Sequence, residues 1–335
     1  LGKCSGNRSR SIARKMDAKK VFVVPQNVER GRADKVLSCI PDLNRSRSTL
    51  ANLIRAGLIK VNGKDLRPST VIYPGDEIEL TEPDQPQPCG QEESRFQLNI
   101  IFENSELLLV DKPAGLVTHP GAGSKQATLM DLVIRKYPEI SGVGEEGRWG
   151  IVHRLDKDTS GVMVIARTHE SHARLSEQFR QHTIHRVYKA IVRGNPKEQE
   201  GIIDAPIGRD AKDRKKMTTR PQKGRSAQSQ WRLVEDFKGY ALLEIRPKTG
   251  RTHQIRAHLA SVNLPVLGDK VYGAPTKKQM RSDRDLARLS KIVQRQALHA
   301  AELGINIDLD SELRIFYSEL PHDMIQALDA LRKTD

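Results

Sequence analysis

The chain contains little of what marks secreted, membrane or zinc-binding proteins. Its 335 residues include three cysteines, Cys4, Cys39 and Cys89, which are widely separated and form no CxxC pair. This spacing argues against a disulfide framework or a zinc ribbon. No stretch approaches the ~20 consecutive apolar residues that a membrane-spanning helix needs. We therefore expect a cytoplasmic protein in a reducing compartment, with no membrane partner.

The sequence also lacks motifs that accompany common cofactors and nucleophiles. It has no GxxxxGKS/T phosphate-binding loop and no GxSxG nucleophile elbow. His253 and His258 are five residues apart, which is not the spacing of an HExxH zinc motif, and no Cys/His cluster accompanies them. The sequence predicts neither a metal site nor a cofactor.

An excess of positive charge is the main compositional signal. Lysine and arginine total 56 against 42 aspartates and glutamates, which gives a formal net charge of +14. This balance favours a polyanionic partner, and the lack of a long basic amphipathic helix with an aromatic face makes an acidic membrane the weaker choice. Nucleic acid is the expected partner.

At a length of 335 residues, two domains are expected.

Two segments have compositions that do not build a core. Residues 1–20 are basic, rich in serine and arginine and nearly free of acidic residues. They fit a disordered tail or extra residues ahead of a start at Met16, and a transit peptide is the alternative. Residues 82–97 combine three prolines with polar residues and show no apolar periodicity. We interpret them as a linker.

Residues 28–81, ahead of that linker, combine short helical patterns with an Asn-Gly hairpin turn. The residues that carry the pattern are Ser46-Arg47, Leu50, Leu53-Ile54, Gly57, Ile59, Val61-Asn62-Gly63 and Pro74-Gly75-Asp76. This pattern resembles the S4 RNA-binding module. Five basic residues cluster around the helices: Arg32, Lys35, Arg45, Arg47 and Arg55. They suit contacts with RNA phosphates, and the alternative is an ordinary solvated basic face.

Residues 98–330 alternate predicted strands and helices, which indicates an α+β domain. A helix is predicted over residues 169–181, and a C-terminal helix over residues 323–331. Residues 209–225, which include Lys215 and Lys216, are strongly basic and predict a loop or hairpin that contacts the RNA backbone. Residues 275–288 are polar and predict a surface insertion.

One stretch, residues 149–166, places an ionisable pair beside a buried strand. Arg154 and Asp156 precede an Asp-Thr-Ser-Gly turn, and the apolar run 162–166 follows. A carboxylate beside a guanidinium suits a nucleophile or a general base, and it equally suits a structural ion pair. Arg154 and the distant Arg251 are both candidate partners for Asp156.

Four ordered motifs carry a family resemblance. They are Lys112-Pro113-Ala114-Gly115, His153 to Gly161 (HRLDKDTSG), Tyr188-Lys189-Ala190 and Gly250 to Arg256 (GRTHQIR). Together they resemble the RluA-type pseudouridine synthase family. The S4-like segment matches the subgroup that acts on large-subunit (23S) rRNA. The resemblance implies a catalytic domain built on a mixed, mainly antiparallel sheet with flanking helices.

The resemblance also implies roles for individual residues. Asp156 is expected to be the catalytic residue, with Arg251 as its ion-pair partner. Tyr188 is expected to stack on the target uracil, and Arg154 to fill the space that the extruded base leaves. The implied reaction detaches uracil from C1′, rotates it and rejoins it through C5 without any cofactor. The enzyme is expected to act as a monomer on rRNA.

Two other functions are compatible with parts of the pattern. A non-catalytic S4-containing rRNA-binding or ribosome-assembly factor would bind RNA and leave Asp156 structural. A base-excising hydrolase would use the same pocket and release free uracil. Pseudouridine formation separates the expected reaction from both.

The expected reaction makes Asp156→Asn the first variant to examine. It should abolish pseudouridine formation while RNA binding stays close to that of the wild type, because the amide keeps the size of the side chain but neither attacks nor accepts a proton. Chromatography of digested RNA measures the product. Pseudouridine made at a near-normal rate by this variant would exclude Asp156 as the catalytic residue.

Overall fold

The computed structural model describes residues 19–40, 43, 47–81, 96–119, 127–145, 147–211, 213, 216–307 and 312–334. The chain divides into two compact units, residues 1–90 and 91–335. Most of the predicted tail (residues 1–18) and of the predicted linker (residues 82–95) lies outside the described residues, as do Arg45 and Lys215.

The first unit contains two short helices and two small sheets. Its elements are β1 (Lys19–Val23), β2 (Gly31–Arg32), α1 (Ala33–Leu37), α2 (Arg47–Arg55), β3 (Ile59–Val61), β4 (Lys64–Asp65), β5 (Val71–Ile72) and β6 (Glu77–Thr81). One sheet has the order β1-β6-β3-β4, and β2 pairs with β5 in the other. Helix α2 buries Leu50, Leu53 and Ile54 in the core of this unit. The helical face predicted from their spacing is therefore confirmed.

The predicted Asn-Gly hairpin is also present in the first unit. Val61 of β3 pairs with Lys64 of β4 across the turn. Asn62 and Gly63 both have positive φ, 49° and 75°, as a type I′ turn requires. The turn residues thus set the register of this hairpin.

The second unit is built on one large sheet and a small hairpin of β12 and β13. The strands of this unit are β7 (Asn99–Glu103), β8 (Leu107–Lys112), β9 (Ser160–Ala166), β10 (His185–Arg193), β11 (Glu200–Asp204), β12 (Gly208–Arg209), β13 (Met217–Thr218), β14 (Gln228–Phe237), β15 (Tyr240–Pro247), β16 (Leu298–Ile305) and β17 (Arg314–Tyr317). The nine-stranded sheet has the order β11-β14-β15-β10-β16-β9-β8-β7, and β17 pairs with β16. Among the described strands, β9 and β16 run parallel and the other pairs in this sheet run antiparallel. The expected mixed, mainly antiparallel sheet is confirmed.

Helices pack on both sides of this sheet. They are α3 (Leu129–Lys136), α4 (His169–Gln181), α5 (Gln254–Ser261), α6 (Lys277–Ser282), α7 (Arg284–Ile292) and α8 (His322–Arg332), with a 3₁₀ turn at Pro138–Ile140. The helix predicted over residues 169–181 is confirmed as α4, and the predicted C-terminal helix is α8. None of the helices in the described part of the chain is long and apolar enough to cross a membrane.

Strand β9, predicted as a buried strand, is buried along its whole length and contributes to two cores. Met163 and Ile165 enter one core, and Val162 and Val164 enter the other, as side-chain alternation in a strand requires. At Gly161, where φ is +117°, a Cβ atom would lie 2.2 Å from the carbonyl oxygen of Ala300 on β16. Glycine is needed here because any side chain would separate the two parallel strands.

Two sequence predictions about surface segments have different outcomes. The basic segment 209–225 contains the short hairpin of β12 and β13, so the hairpin alternative is confirmed. The prediction that residues 275–288 form a surface insertion is wrong for the second half of that segment. Helix α7 begins at Arg284 and buries Leu286 and Leu289 in the core that also contains α8. Two apolar residues three positions apart were too weak a pattern to predict this packing.

A nearly buried carboxylate organises the basic residues of the first unit. Asp34 is 5% exposed and accepts hydrogen bonds from Arg32 Nε at 3.1 Å and from Arg47 Nη2 at 3.2 Å. These bonds, that of Arg32 above all, lower the pKa of Asp34 to about 2. Because the folded value lies below the unfolded one, the ion pairs stabilise the fold above about pH 4, and the stabilisation is lost as the pH falls towards 2.

Asp34→Asn should lower the free energy of unfolding of the first unit by about 1–2 kcal/mol at pH 7 and by much less at pH 2, since at pH 2 only about half of the folded chains still carry the charge of Asp34. Urea unfolding of the full chain at the two pH values measures this. The control is Asp65→Asn, because Asp65 is 75% exposed in its pair with Lys60 and should contribute little. Equal losses at both pH values for Asp34→Asn would contradict the assignment.

Candidate active site

The segment that leads to Asp156 lies beside β9 and is tied to it by hydrogen bonds. The amide of Ala166 donates to the carbonyl of Gly150 at 2.8 Å, and the amide of Val164 donates to Nε2 of His153 at 3.0 Å. At Gly150, where φ is +72°, a Cβ atom would lie 2.3 Å from the carbonyl oxygen of Ala166. Asp156 then begins a turn, closed by the amide of Thr159, immediately before β9.

His153, the first residue of the HRLD motif, has a structural role in this arrangement. Burial, together with the nearby charge of Arg186, lowers its pKa to about 3. The imidazole is therefore neutral at pH 7, and Nε2 can accept the hydrogen bond from Val164. Its ring stacks on Phe179 of α4 with centroids 4.6 Å apart and an interplanar angle of 20°. His153 thus fixes the backbone three residues before Asp156.

The carboxylate of Asp156 pairs with Arg256 of helix α5. Arg256 Nη1 lies 2.9 Å from Asp156 Oδ2. The other side of the same guanidinium binds Asp269 twice, with Nε 2.6 Å from Oδ2 and Nη2 2.9 Å from Oδ1. Burial disfavours the charge of Arg256, but these two carboxylates outweigh it and raise the pKa of the guanidinium. One buried cation is thus shared between two carboxylates.

Asp269 anchors this network from behind. Its side chain is fully buried, and Oδ1 also accepts from the amides of Val271 at 2.8 Å and Tyr272 at 3.1 Å. Burial opposes its charge, yet the hydrogen bonds from Arg256 hold the pKa of Asp269 below its usual value. The side chain of Asp156, by contrast, is 20% exposed. The network therefore presents one carboxylate to solvent and buries the other.

Asp156 and Tyr188 line the same cleft, which has a volume of about 690 Å³. Tyr188 lies on β10 opposite a bulge in β16, where Val187 pairs with Glu302 and Tyr188 with Ala300, so that Ala301 is left over. Burial raises the pKa of Tyr188, and the negative charge of Asp156 raises it further. A paired carboxylate and a partly buried aromatic ring thus face one space.

Comparison with known proteins agrees with this geometry. Residues 106–261, which contain all four sequence motifs, match the model of the RNA pseudouridylate synthase family. The chain is 41% identical over 298 residues to the ribosomal large subunit pseudouridine synthase D of Zymomonas mobilis, covering 88% of this chain and 91% of that one. The protein of the same name from Pseudomonas aeruginosa is 38% identical over 288 residues, covering 86% and 88%.

A solved structure supports the same assignment. The structure titled human RNA pseudouridylate synthase domain containing 4 aligns with a TM-score of 0.56 and 26% identity, covering 70% of this chain and 93% of that one. The chain belongs to the RluA-type family of RNA pseudouridine synthases. The resemblance inferred from the motifs is thereby confirmed, and the protein is an enzyme of the isomerase class.

One predicted contact in the synthase is wrong. Arg251 was expected to pair with Asp156, whereas Arg256 does so. Arg251 lies in the same cleft, but its Nε donates to the carbonyl of Ser226 at 3.3 Å. Arg251 precedes α5, while Arg256 lies within the helix and is 5% exposed. A charged residue between the apolar Ile255 and Ala257 was the signal that a buried ion pair was needed there.

Gln254, inside the GRTHQIR motif, holds the turn that carries Arg251. Its Oε1 accepts from Thr249 Oγ1 at 2.7 Å and from the amide of Arg251 at 3.0 Å. Its Nε2 donates to the carbonyl of Gln228 at 3.0 Å. The synthase therefore fixes this turn against β14, and Gln254 serves the backbone of the site.

His253 and Tyr272 form a further contact near Asp156, and the sequence analysis did not predict it. Tyr272 Oη accepts from the amide of Met217 at 2.8 Å and lies 3.0 Å from Nδ1 of His253. Burial lowers the pKa of His253, so its ring is neutral at pH 7. The other ring nitrogen, Nε2, lies 3.9 Å from Asp156 Oδ2.

Lys112 is a further residue to which the sequence analysis assigned no role. It is fully buried, and its Nζ donates to the carbonyls of Pro113, Leu116 and Lys157 at 2.8, 2.8 and 3.0 Å. Burial lowers its pKa to about 7, but three acceptors match the three N–H donors of the ammonium form. Lys112 therefore joins the loop after β8 to the residue that follows Asp156.

The predicted RNA-binding residues are distributed over the chain. Arg154 is exposed and lines the cleft. Arg32 and Arg47, whose side chains are each 53% exposed, lie in the first unit beside Asp34, and the exposed Arg55 ends α2. Lys216 precedes β13, and its backbone pairs with Asp210 and Asp213.

Within the described residues, no group of three or more His, Cys, Asp or Glu side chains is placed so that it could hold a metal ion.

The two arginines of the GRTHQIR motif should respond differently to substitution. Arg256→Gln leaves two carboxylates without their cation, and it should cost about 3–5 kcal/mol in stability and lower kcat about a hundredfold or more. Arg251→Gln removes one exposed bond to a carbonyl, and it should leave stability nearly unchanged and act mainly on KM. Urea unfolding and steady-state kinetics on the same RNA measure both effects. The opposite ranking would show that Arg251 supports Asp156.

Proposed function

We propose that this synthase isomerises specific uridines of large-subunit (23S) rRNA to pseudouridine, with Asp156 as the catalytic residue. The observation that carries the proposal is the cleft in which Asp156, paired with Arg256, faces the partly buried ring of Tyr188. The proteins named ribosomal large subunit pseudouridine synthase D, which match this chain over most of its length, support the choice of substrate.

The cleft suits a base that has left the RNA stack. Extrusion of a uridine costs roughly a few kcal/mol, and stacking on Tyr188 recovers about 1–3 kcal/mol of that. Arg154, exposed at the same cleft, fills the space that the base vacates. Binding energy at these two residues thus serves to bring the base to Asp156.

The reaction needs no group beyond those of the chain and the RNA. The glycosidic bond between N1 and C1′ breaks, uracil rotates, and a bond between C5 and C1′ forms. C5 then loses its proton and N1 takes one up, so that the product is an isomer of the substrate. Asp156 attacks C1′, attacks the base or takes up a proton, and each of these roles requires its carboxylate to face the nucleotide. Arg256 keeps the carboxylate in that position, because Asp269 fixes the guanidinium on its other side.

The first unit is proposed to act as an S4-type RNA-binding module. Its support is the pair Arg32 and Arg47, which Asp34 orders at the surface with their side chains half exposed. Ordered guanidinium groups of this kind suit phosphate contacts. The synthase is proposed to act as a monomer, in the cytoplasm, where such RNA is available.

Mapping pseudouridine in 23S rRNA tests the proposal. Cells that lack this protein should lose pseudouridine at specific positions, and a plasmid with the wild-type chain should restore it while Asp156→Asn should not. An unchanged map would sink the proposal. Restoration by the Asp156→Asn variant would favour the non-catalytic assembly factor, and release of free uracil in vitro would favour the hydrolase.

A further inference from the structure

One of the arginines that line the cleft is Arg186 on β10, whose charge has no acidic partner in the described part of the chain. Its Nη2 donates to two backbone carbonyls, those of Pro247 at 3.0 Å and Lys248 at 3.3 Å. Its Nε is buried and makes no hydrogen bond. Burial lowers its pKa, and the attraction that opposes this comes from Tyr188, not from a carboxylate.

This situation is the opposite of that of Arg256. Arg256 lies in the same cleft and is bound by Asp156 and Asp269. Folded proteins rarely bury a cation without an anion, because desolvation of the charge costs several kcal/mol. Since the neighbouring ring of His153 is neutral, it supplies no compensating charge. Arg186 therefore keeps a positive charge that an external anion can neutralise.

The position of Arg186 indicates what that anion is. Arg186 and Tyr188 are two residues apart on one strand, so their side chains leave the same face about 7 Å apart. When the base of a nucleotide stacks on Tyr188, the backbone phosphates of that nucleotide lie at a similar distance from the ring, about 7 Å. Among the chemical groups of an RNA substrate, the phosphodiester carries the negative charge.

Gly250 keeps space beside the guanidinium. A Cβ atom at this position would lie 3.2 Å from Arg186 Nη1, which is a tight contact. Gly250 and Arg186 both line the cleft. The lack of a side chain at residue 250 thus lets Nη1 lie close to the turn.

We infer that Arg186 binds an RNA phosphodiester next to the target uridine. This inference rests on the proposed function, because it takes the base on Tyr188 to be a uracil within RNA. Arg186 then anchors the backbone on one side of the nucleotide, and Tyr188 holds the base. Arg256 has no part in docking, since its charge is already used by two carboxylates.

Salt dependence of RNA binding separates this role from a structural one. Arg186→Gln should raise KM for an unmodified 23S rRNA transcript roughly tenfold or more, with kcat at saturating RNA close to that of the wild type. The plot of log K against log salt should become less steep by about 0.7, the value for one lost phosphate contact. Arg186→Lys, which keeps the cation, should restore the slope.

The alternative is that Arg186 only holds the turn at residues 247–248. In that case Arg186→Gln would lower kcat or stability and leave the salt slope unchanged, which would overturn the inference. The matched control is Arg174→Gln. Arg174 is also half-buried with an unpaired Nε, but it pairs with Glu106 and does not line the cleft. This variant should leave the salt slope and KM unchanged.

A measurement on the wild-type protein covers the case in which Arg186→Gln does not fold. A short RNA that contains the mapped uridine is made with a neutral methylphosphonate at either flanking linkage. One of the two should raise KM roughly tenfold for the wild type, and it should also raise KM for Arg186→Lys, which keeps the cation. No change at either linkage overturns the inference.

Failure of the inference is distinguishable from failure of the proposed function. If the wild type forms no pseudouridine in 23S rRNA, the proposed substrate is wrong, whatever Arg186 does. If the wild type is active and neither the salt slope nor the methylphosphonate RNA responds as stated, the role of Arg186 alone is wrong.

Discussion

The guanidinium of Arg256, held between two carboxylates, is the interaction on which the site depends. It joins three parts of the second unit: the turn before β9 with Asp156, helix α5, and the loop with Asp269. A cation shared in this way leaves one net negative charge, and this charge faces the cleft through Asp156. Because Asp269 occupies two of the three nitrogens, the third has a fixed direction, and the position of Asp156 follows from it.

Much of the fold could be predicted from local patterns. The buried strand β9 and helix α4 follow from runs and spacing of apolar residues, because periodicity reports which face meets a core. The hairpin at Asn62-Gly63 follows from the turn residues alone. These features need no knowledge of distant parts of the chain, and for this reason the sequence was sufficient for them.

The details of the site depend on distant partners and were therefore beyond local reasoning. The motif GRTHQIR contains two arginines, and spacing does not say which one reaches a carboxylate 100 residues away. Asp269 and Tyr272 belong to no motif recognised in the sequence. They contact Arg256 and His253 only because their loop returns to α5. Lys112 was quoted as part of a turn, whereas its ammonium connects two loops through three carbonyls.

The one parallel strand pair among the described strands of the large sheet has a consequence for how the enzyme becomes active. Strand β9 meets β16 through Ser160 with His299 and Gly161 with Ala300, so this contact closes a loop of well over a hundred residues that contains Tyr188, Arg256 and Asp269. Contacts of such large sequence separation form late in folding, since loop closure costs entropy before it is rewarded. A chain that emerges from the ribosome contains Asp156 early and its partner Arg256 about 100 residues later. On the role proposed for Asp156, catalytic competence is therefore a property of the completed unit.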